Sequence, residues 1–212
     1  MTCNIVASGS KGNAVILNDL ILIDCGVPYY KIGEIKRNIK LVLLTHEHSD
    51  HFRTKTIQQF ARSRPTLRFG CCEWLVPKLL KAGVSEKNID VYQLNTVYAY
   101  GNSIRVWPFA LFHDVENCGY HIAIEGEIAL YATDTAFLGD LSAPNYDLYM
   151  IEANYEEVEL QKRIARKLAA GEFCYEQNVA GRHLSKEQAD AFITRNAGEK
   201  SKFVYLHQHK ES

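Results

Sequence analysis

Directly after an apolar run, Leu41-Val42-Leu43-Leu44, the chain reads Thr45-His46-Glu47-His48-Ser49-Asp50-His51. Protonated together, three imidazoles within six residues repel one another. Neutral, their ring nitrogens are Lewis bases that can converge on a cation. A continuous apolar run marks a strand buried on both faces, which puts the histidines on a loop at a strand end. Alternate side chains there can point to different sides, so one short segment can serve two adjacent ions. Imidazole with carboxylate is a donor set that borderline divalent metals favour.

The rest of such a shell has to come from far along the chain, and three candidates share one placement. His113 follows Phe109-Ala110-Leu111-Phe112, Asp134 follows Leu130-Tyr131-Ala132-Thr133, and His207 follows Phe203-Val204-Tyr205-Leu206. Each ends an apolar strand, so all can meet at one sheet edge. Taken singly, each is an ordinary capping or surface residue; beside the 46–51 cluster they make a joint ligand set. The ending Tyr205-Leu206-His207-Gln208-His209 offers two imidazoles. His207 is preferred because it directly follows the strand.

Asn4–Ala7, Ala14–Leu17 and Leu20–Ile23 read as strands, with Asn18-Asp19 a tight turn. Ile32, Ile35 and Ile39 suggest a short helix face. Further helices are predicted through Ile57, Phe60 and Ala61 and over Glu73–Ala82, the latter stopping at Gly83. Val91–Leu94, Val97–Tyr100, Ile104–Val106, Tyr120–Ile124, Ile128–Ala132, Leu148–Ile151 and Phe203–Leu206 supply more strands, with hairpin turns at Gly101-Asn102 and Gly126. Val158–Ala170 reads as a helix, and Ser185 with Gln188 makes a capping box for a last one through Ile193. Strands with interspersed helices, partly hairpin-connected, predict an α/β architecture of two mixed sheets with helices outside them. With 212 residues and no repeat or low-complexity linker, residues 1–212 read as one domain.

Composition narrows the partners. Lys+Arg 24 against Asp+Glu 25 gives a net charge of −1, so any nucleic-acid binding must use a local patch. Lys162, Arg163, Arg166 and Lys167, with Arg182, are the candidates; a solvated amphipathic helix explains them equally well. No long basic arm is present to grip a folded RNA. No apolar run approaches the roughly 18 residues of a membrane span, and the start carries neither a basic nor an apolar leader region. Cys3, Cys25, Cys71, Cys72, Cys118 and Cys174 lack CxxC spacing and read as buried thiols of a cytoplasmic protein.

The ordered set of Asp24 in ILIDCG, the 46–51 cluster, His113, Asp134 in YATDT and a final strand-end histidine resembles the metallo-β-lactamase fold superfamily over nearly the whole chain. SGSKGNA near the start, EANYEE at 152–157 and GRHLSKEQA at 181–189 are similar to the YycJ/WalJ group and the related ribonuclease Z branch, whose members are phosphodiesterases or nucleases. The resemblance implies an αββα four-layer sandwich and two divalent metal ions, zinc foremost, with manganese or iron as alternatives. His46, His48 and His113 would hold one ion and Asp50, His51 and His207 the other, with Asp134 between them. It implies a nucleic acid, cut exonuclease-fashion, or a small or cyclic nucleotide as substrate, hydrolysed by a water ionised between the metals.

The same resemblance gives catalytic roles to Asp50, Asp134, His183 and Glu152. His183 would protonate the leaving oxygen, with Glu152 holding its ring. Asp24 would accept the free N–H of a ligating histidine. The small-residue loop with Ser8, Ser10 and Asn13 would approach metals or phosphate, or be a plain turn. Dimerisation is implied by analogy alone. Two other readings stay open: a hydrolase of a lactone, thioester or lactam on the same fold, and a metal-binding module without catalysis. Glu152 with the HLS segment is the feature that points to phosphodiesters.

Overall fold

The computed structural model describes residues 1–208. Asn18 and Asp19 take positive φ, 45° and 56°, and Glu125-Gly126 take 52° and 90°. These are the mirror-type turns whose twist matches a two-stranded ribbon, and both close antiparallel hairpins as the residue types predict. The first sheet contains β1 (Cys3–Ala7), β2 (Ala14–Leu17), β3 (Ile21–Ile23), β4 (Leu41–Leu43), β5 (Arg68–Cys72) and β6 (Ile89–Tyr92), side by side in that order. The second contains β7 (Tyr98–Tyr100), β8 (Ile104–Leu111), β9 (Asn117–Ile124), β10 (Glu127–Ala132), β11 (Leu148–Glu152) and β12 (Lys202–Leu206), again side by side. Both sheets are mixed: β3 to β6 and β10 to β12 run parallel, the remaining neighbours antiparallel.

Alternation sorts the side chains into layers. Val15, Leu17, Ile21, Ile23, Leu41 and Leu43 of one sheet meet Val106, Tyr120, Ile122, Tyr131 and Met150 of the other in the central core. The opposite face of the first sheet buries Ile16, Leu22, Val42 and Phe69 against Ile57 and Phe60 of α1 (Thr54–Ser63) and Leu79 of α2 (Val76–Lys81). The outer face of the second buries Leu130, Tyr149 and Ile151 against Ala189, Phe192 and Ile193. α3 (Glu157–Ala169) precedes the helix that carries those three, α4 (Lys186–Asn196). The result is helix, sheet, sheet, helix. Ser185 and Gln188 form the expected capping box on α4.

Three expectations need correction. The Ile32–Ile39 stretch is two 3₁₀ turns, Tyr29–Ile32 and Glu34–Arg37, broken where Gly33 takes φ 71°. Glu73–Ala82 begins as a 3₁₀ turn before α2. β8 runs through Pro108 as one strand, because β7 pairs only as far as Val106 and leaves that flank of the proline without a strand to bond. β5 went unpredicted: Gly70 interrupts its apolar pattern, since a Cβ there would overlap the Tyr92 ring.

Register decides what meets at the open edge. Ala132 of β10 pairs with Ile151 of β11, and Glu152 with Leu206 of β12. Asp134, Glu152 and His207 therefore leave the second sheet at one level. In the first sheet Ile23 pairs with Leu43, which levels Asp24 with the start of the histidine loop. Carboxyl ends of parallel strands are where open α/β sheets place their ligands.

Candidate metal centre

Three site residues end their strands in the left-handed region: Asp24 at φ 60°, Asp134 at 54° and His207 at 49°. Asp, Asn and His tolerate that conformation best among side-chain-bearing residues, and it turns each side chain back over the edge. Gly26 lets the backbone pass, since a Cβ there would overlap the Asp50 carbonyl. Asn13 pins the same loop, its N–H donating to the Asp50 carbonyl at 2.6 Å and its Nδ2 lying 3.3 Å from Asp50 Oδ2. Ser8 accepts the His207 N–H at 2.6 Å, while Ser10 is exposed. The small-residue loop thus buttresses both ends of the site.

Hydrogen bonds assign the ring tautomers. The Thr45 hydroxyl donates to Asp24, so its oxygen accepts the His46 Nδ1–H at 3.0 Å and Nε2 keeps the lone pair. His51 Nδ1–H donates to Asp24 Oδ2 at 2.7 Å, which leaves the lone pair on Nε2, where the Asn13 Nδ2 lies 2.7 Å away. His113 Nδ1–H donates to the Arg182 carbonyl at 3.2 Å, and its Nε2 faces His48 Nδ1 at 3.3 Å. His48 Nε2 lies 3.5 Å from Asp114 Oδ1. Ligating histidines are oriented through their second nitrogen in this way.

The donor atoms fall into three tight groups: His46, His48 and His113; His46, His51 and Asp134; and Asp134, Glu152, His183 and His207. His51 Nε2 stands 2.6 Å from Asp134 Oδ2, and His207 Nδ1 stands 2.7 Å from Asp134 Oδ1. His46 Nε2 is buried without a hydrogen-bond partner, and Asp134 Oδ2 and His207 Nδ1, despite these short contacts, are buried without a hydrogen bond of good geometry. Such an atom costs about 1–3 kcal/mol. Lone pairs converging at these distances need a proton or a cation between them, and imidazoles around buried carboxylates fit a divalent metal. Asp50 sits at the margin, its Oδ2 3.7 Å from His51 Nε2. His209 lies outside the described residues.

The charges agree. Burial, then His51, pushes the His46 imidazole well below its ordinary pKa, so it stays a neutral donor. Burial also lowers His113. Burial would lower His51 too, but Asp134 and Asp24 outweigh it and drive its proton affinity well up. Burial opposes ionisation of Asp134, yet His51 and His207 hold its carboxyl well below the usual range. The field demands positive charge at the spot the lone pairs share.

Glu152 is fully buried at the end of β11, and burial raises its carboxyl. Its Oε1 lies 2.6 Å from His183 Nδ1, and its Oε2 accepts the Thr135 N–H at 3.0 Å and the Leu184 N–H at 3.3 Å. His183 Nδ1 is also 3.4 Å from Asp134 Oδ1. Three supporting residues were not singled out from the sequence: Thr45, Thr135 and Asp114, whose Oδ2 lies 3.2 Å from Arg182 Nη1. Their types are ordinary and their partners distant in the chain, so no spacing marks them. The basic patch on α3 is partly neutralised, with Lys162 paired to Glu159 at 2.7 Å and Lys167 to Glu176 at 2.6 Å.

Two mixed sheets between helix layers, with this donor set at the strand ends, define a metallo-β-lactamase fold. The chain belongs to the β-lactamase superfamily: residues 20–206 match the family model described as Beta-lactamase superfamily domain. The exodeoxyribonuclease WalJ of Streptococcus pneumoniae serotype 2 (strain D39 / NCTC 7466) is 28% identical over 235 residues, spanning 99% of this chain and 82% of that one. The metallo-β-lactamase fold protein YhfI from Bacillus subtilis superposes with a TM-score of 0.72 at 15% identity, over 99% of this chain and 87% of that one. The short form of human tRNase Z superposes at 0.67 and 17% identity, over 98% and 93%.

Proposed function

We propose that this chain is a dinuclear metal-dependent phosphodiesterase that hydrolyses nucleic acid from an end, or a nucleotide diester. The observation that carries the reading is the buried Glu152 carboxylate 2.6 Å from His183 Nδ1, with Asp134 3.4 Å from the same nitrogen. His46, His48 and His113 would hold one cation and Asp50, His51 and His207 the other, with Asp134 reaching both. Zinc suits this imidazole-rich set best, with manganese or iron acceptable. Two divalent ions held by these residues would supply Lewis acidity, the chemistry that lowers the pKa of water and offsets phosphoryl charge.

The chain's own residues do the rest. Glu152 accepts a hydrogen bond from the His183 Nδ1–H and fixes the ring. In its imidazolium form the ring carries a second proton on Nε2, which passes to the departing oxygen as its bond to phosphorus breaks and leaves a neutral imidazole still bonded to Glu152. Thr135 and Leu184 hold Glu152 from the other side through their N–H groups. A nucleic-acid substrate is supported by the names of two relatives, an exodeoxyribonuclease and a tRNase Z. A cytoplasmic setting accords with five buried thiols. Among the described residues no helix is long and apolar enough to cross a membrane.

The test compares leaving groups. His183→Ala should keep its metal by elemental analysis. It should lose about 10²- to 10⁴-fold in kcat on an alkyl diester, and far less on bis(4-nitrophenyl) phosphate, whose leaving group needs no proton. Equal losses on both substrates would remove His183 as the acid.

A further inference from the structure

Phe112 and Phe137 stack face to face, ring centroids 4.0 Å apart at 17°, yet they are 49% and 44% exposed. Single exposed aromatics are ordinary. This pair is unusual in placement and in support. Phe112 immediately precedes His113, and Phe137 lies three residues beyond Asp134. Thr135, fully buried, ties them together: its hydroxyl accepts the Phe112 N–H at 3.0 Å and donates to the Phe137 carbonyl at 2.9 Å. The Ala136 N–H donates to the Phe112 carbonyl at 2.8 Å, and the Thr135 N–H donates to Glu152. The backbone that orients the proposed acid's partner therefore also fixes the two rings.

We infer that the Phe112–Phe137 pair is a platform for a nucleobase of the substrate strand, next to the bond that is cut. The inference rests on the phosphodiesterase reading and narrows its substrate to one bearing an unpaired base. The chemistry favours a base over another occupant. A stacked pair presents the outer face of one ring, about the area of a pyrimidine and too small to seat a helix, with the second ring bracing it from behind. Arg182 stands at the same edge with Nη1 3.2 Å from Asp114 Oδ2, a pairing that offsets its charge but leaves further guanidinium N–H groups to donate to the strand's phosphates. Aromatic stacking on single-stranded nucleic acid tolerates any base, which suits cleavage without sequence preference.

The test uses two diesters that share a leaving group, thymidine 5′-(4-nitrophenyl phosphate) and methyl 4-nitrophenyl phosphate. The wild-type protein should prefer the nucleoside ester in kcat/KM. In Phe112→Ala/Phe137→Ala the preference should fall about 5- to 100-fold, the range of one lost base stack, while Phe137→Tyr, which keeps a ring, retains it. Binding needs no turnover and separates the two readings. By fluorescence anisotropy the wild type should bind an oligothymidylate at least fivefold tighter than an abasic strand of equal length, and the double alanine variant should not. Equal binding of the two strands by the wild type would overturn the platform, as would an unaltered ester preference in the double variant. Tighter binding of the base-bearing strand without cleavage of either ester keeps the platform and sinks the phosphodiesterase. A double variant that changes mass by light scattering while keeping its base preference would make the pair a contact between copies and overturn the inference.

Discussion

One threonine hydroxyl sets the donor atom of the first histidine. The Thr45 hydroxyl donates a hydrogen bond to Asp24 and accepts one from His46 Nδ1–H. Thr45→Val keeps the volume and loses both bonds, so His46 can turn and Asp24 holds His51 less well. Metal affinity should fall about 10- to 100-fold, as for other residues that orient a ligand, measured by competition with a chromophoric chelator. Unaltered affinity would show that packing alone orients the ring. His121 makes a separate case, because it lies outside the donor set. It stacks on Trp107, is 6% exposed, and burial lowers its pKa to about 4. The unfolded chain titrates near 6.5, so between those values unfolding takes up a proton. Stability is full above about pH 6.5 and falls as pH drops toward 4, by up to about 3 kcal/mol. His121→Phe should flatten that slope in urea melts at pH 7.5, 6 and 4.5; an identical slope would place the acid sensitivity elsewhere. At this scale the sequence showed the donors that cluster or end apolar runs. It could not show Thr45, Thr135 or Asp114, whose roles come from partners brought near only by folding.

Elements place these residues through strand ends more than through strands. β3, β10 and β12 each give way to a positive-φ residue, Asp24, Asp134 or His207, within two positions. Holding such residues in the left-handed region costs of order 1 kcal/mol each, which a site can sustain when the surrounding bonds over-determine it. The hairpin turns were legible because Asn-Asp and a lone glycine leave few alternatives. β5 and the 3₁₀ turns before α1 and at the head of α2 were not, since Gly70 and Gly33 answer to tertiary neighbours and chain direction rather than to periodicity. Gly26 is the most exacting position. Gly26→Ala forces the 24–27 loop off the Asp50 carbonyl, and overpacking of this kind costs about 1–3 kcal/mol or more. The variant should melt at lower urea and bind less metal than the parent; wild-type values for both would show that the two loops have slack.

Across the whole molecule the proposed ligands are divided between the sheets. His46, His48, Asp50 and His51 follow β4 of the first, while His113, Asp134 and His207 follow β8, β10 and β12 of the second. At that edge Asp24, Asp134 and Glu152 are all buried, and His46 and His51 are equally enclosed. Bound cations would clamp the open edge of the sandwich and neutralise carboxylates that burial otherwise penalises. A ligand that binds only the folded state stabilises it by about 2.7 kcal/mol when free at 100 times its Kd. For a chain of this length each 1 kcal/mol moves Tm by roughly 2–4 °C. Stripping the protein with a chelator and dialysing the chelator away should therefore lower Tm by about 5–10 °C in calorimetry, and added zinc should restore it. Asp134→Ala removes the carboxylate that reaches both groups of histidines, so its Tm should respond less to zinc and its activity should fall with its metal content. A parent protein whose Tm ignored both chelator and zinc would mean that the two sheets hold the edge closed without any ion. The convergence of lone pairs on Asp134 would then be maintained by protons on His51 and His207.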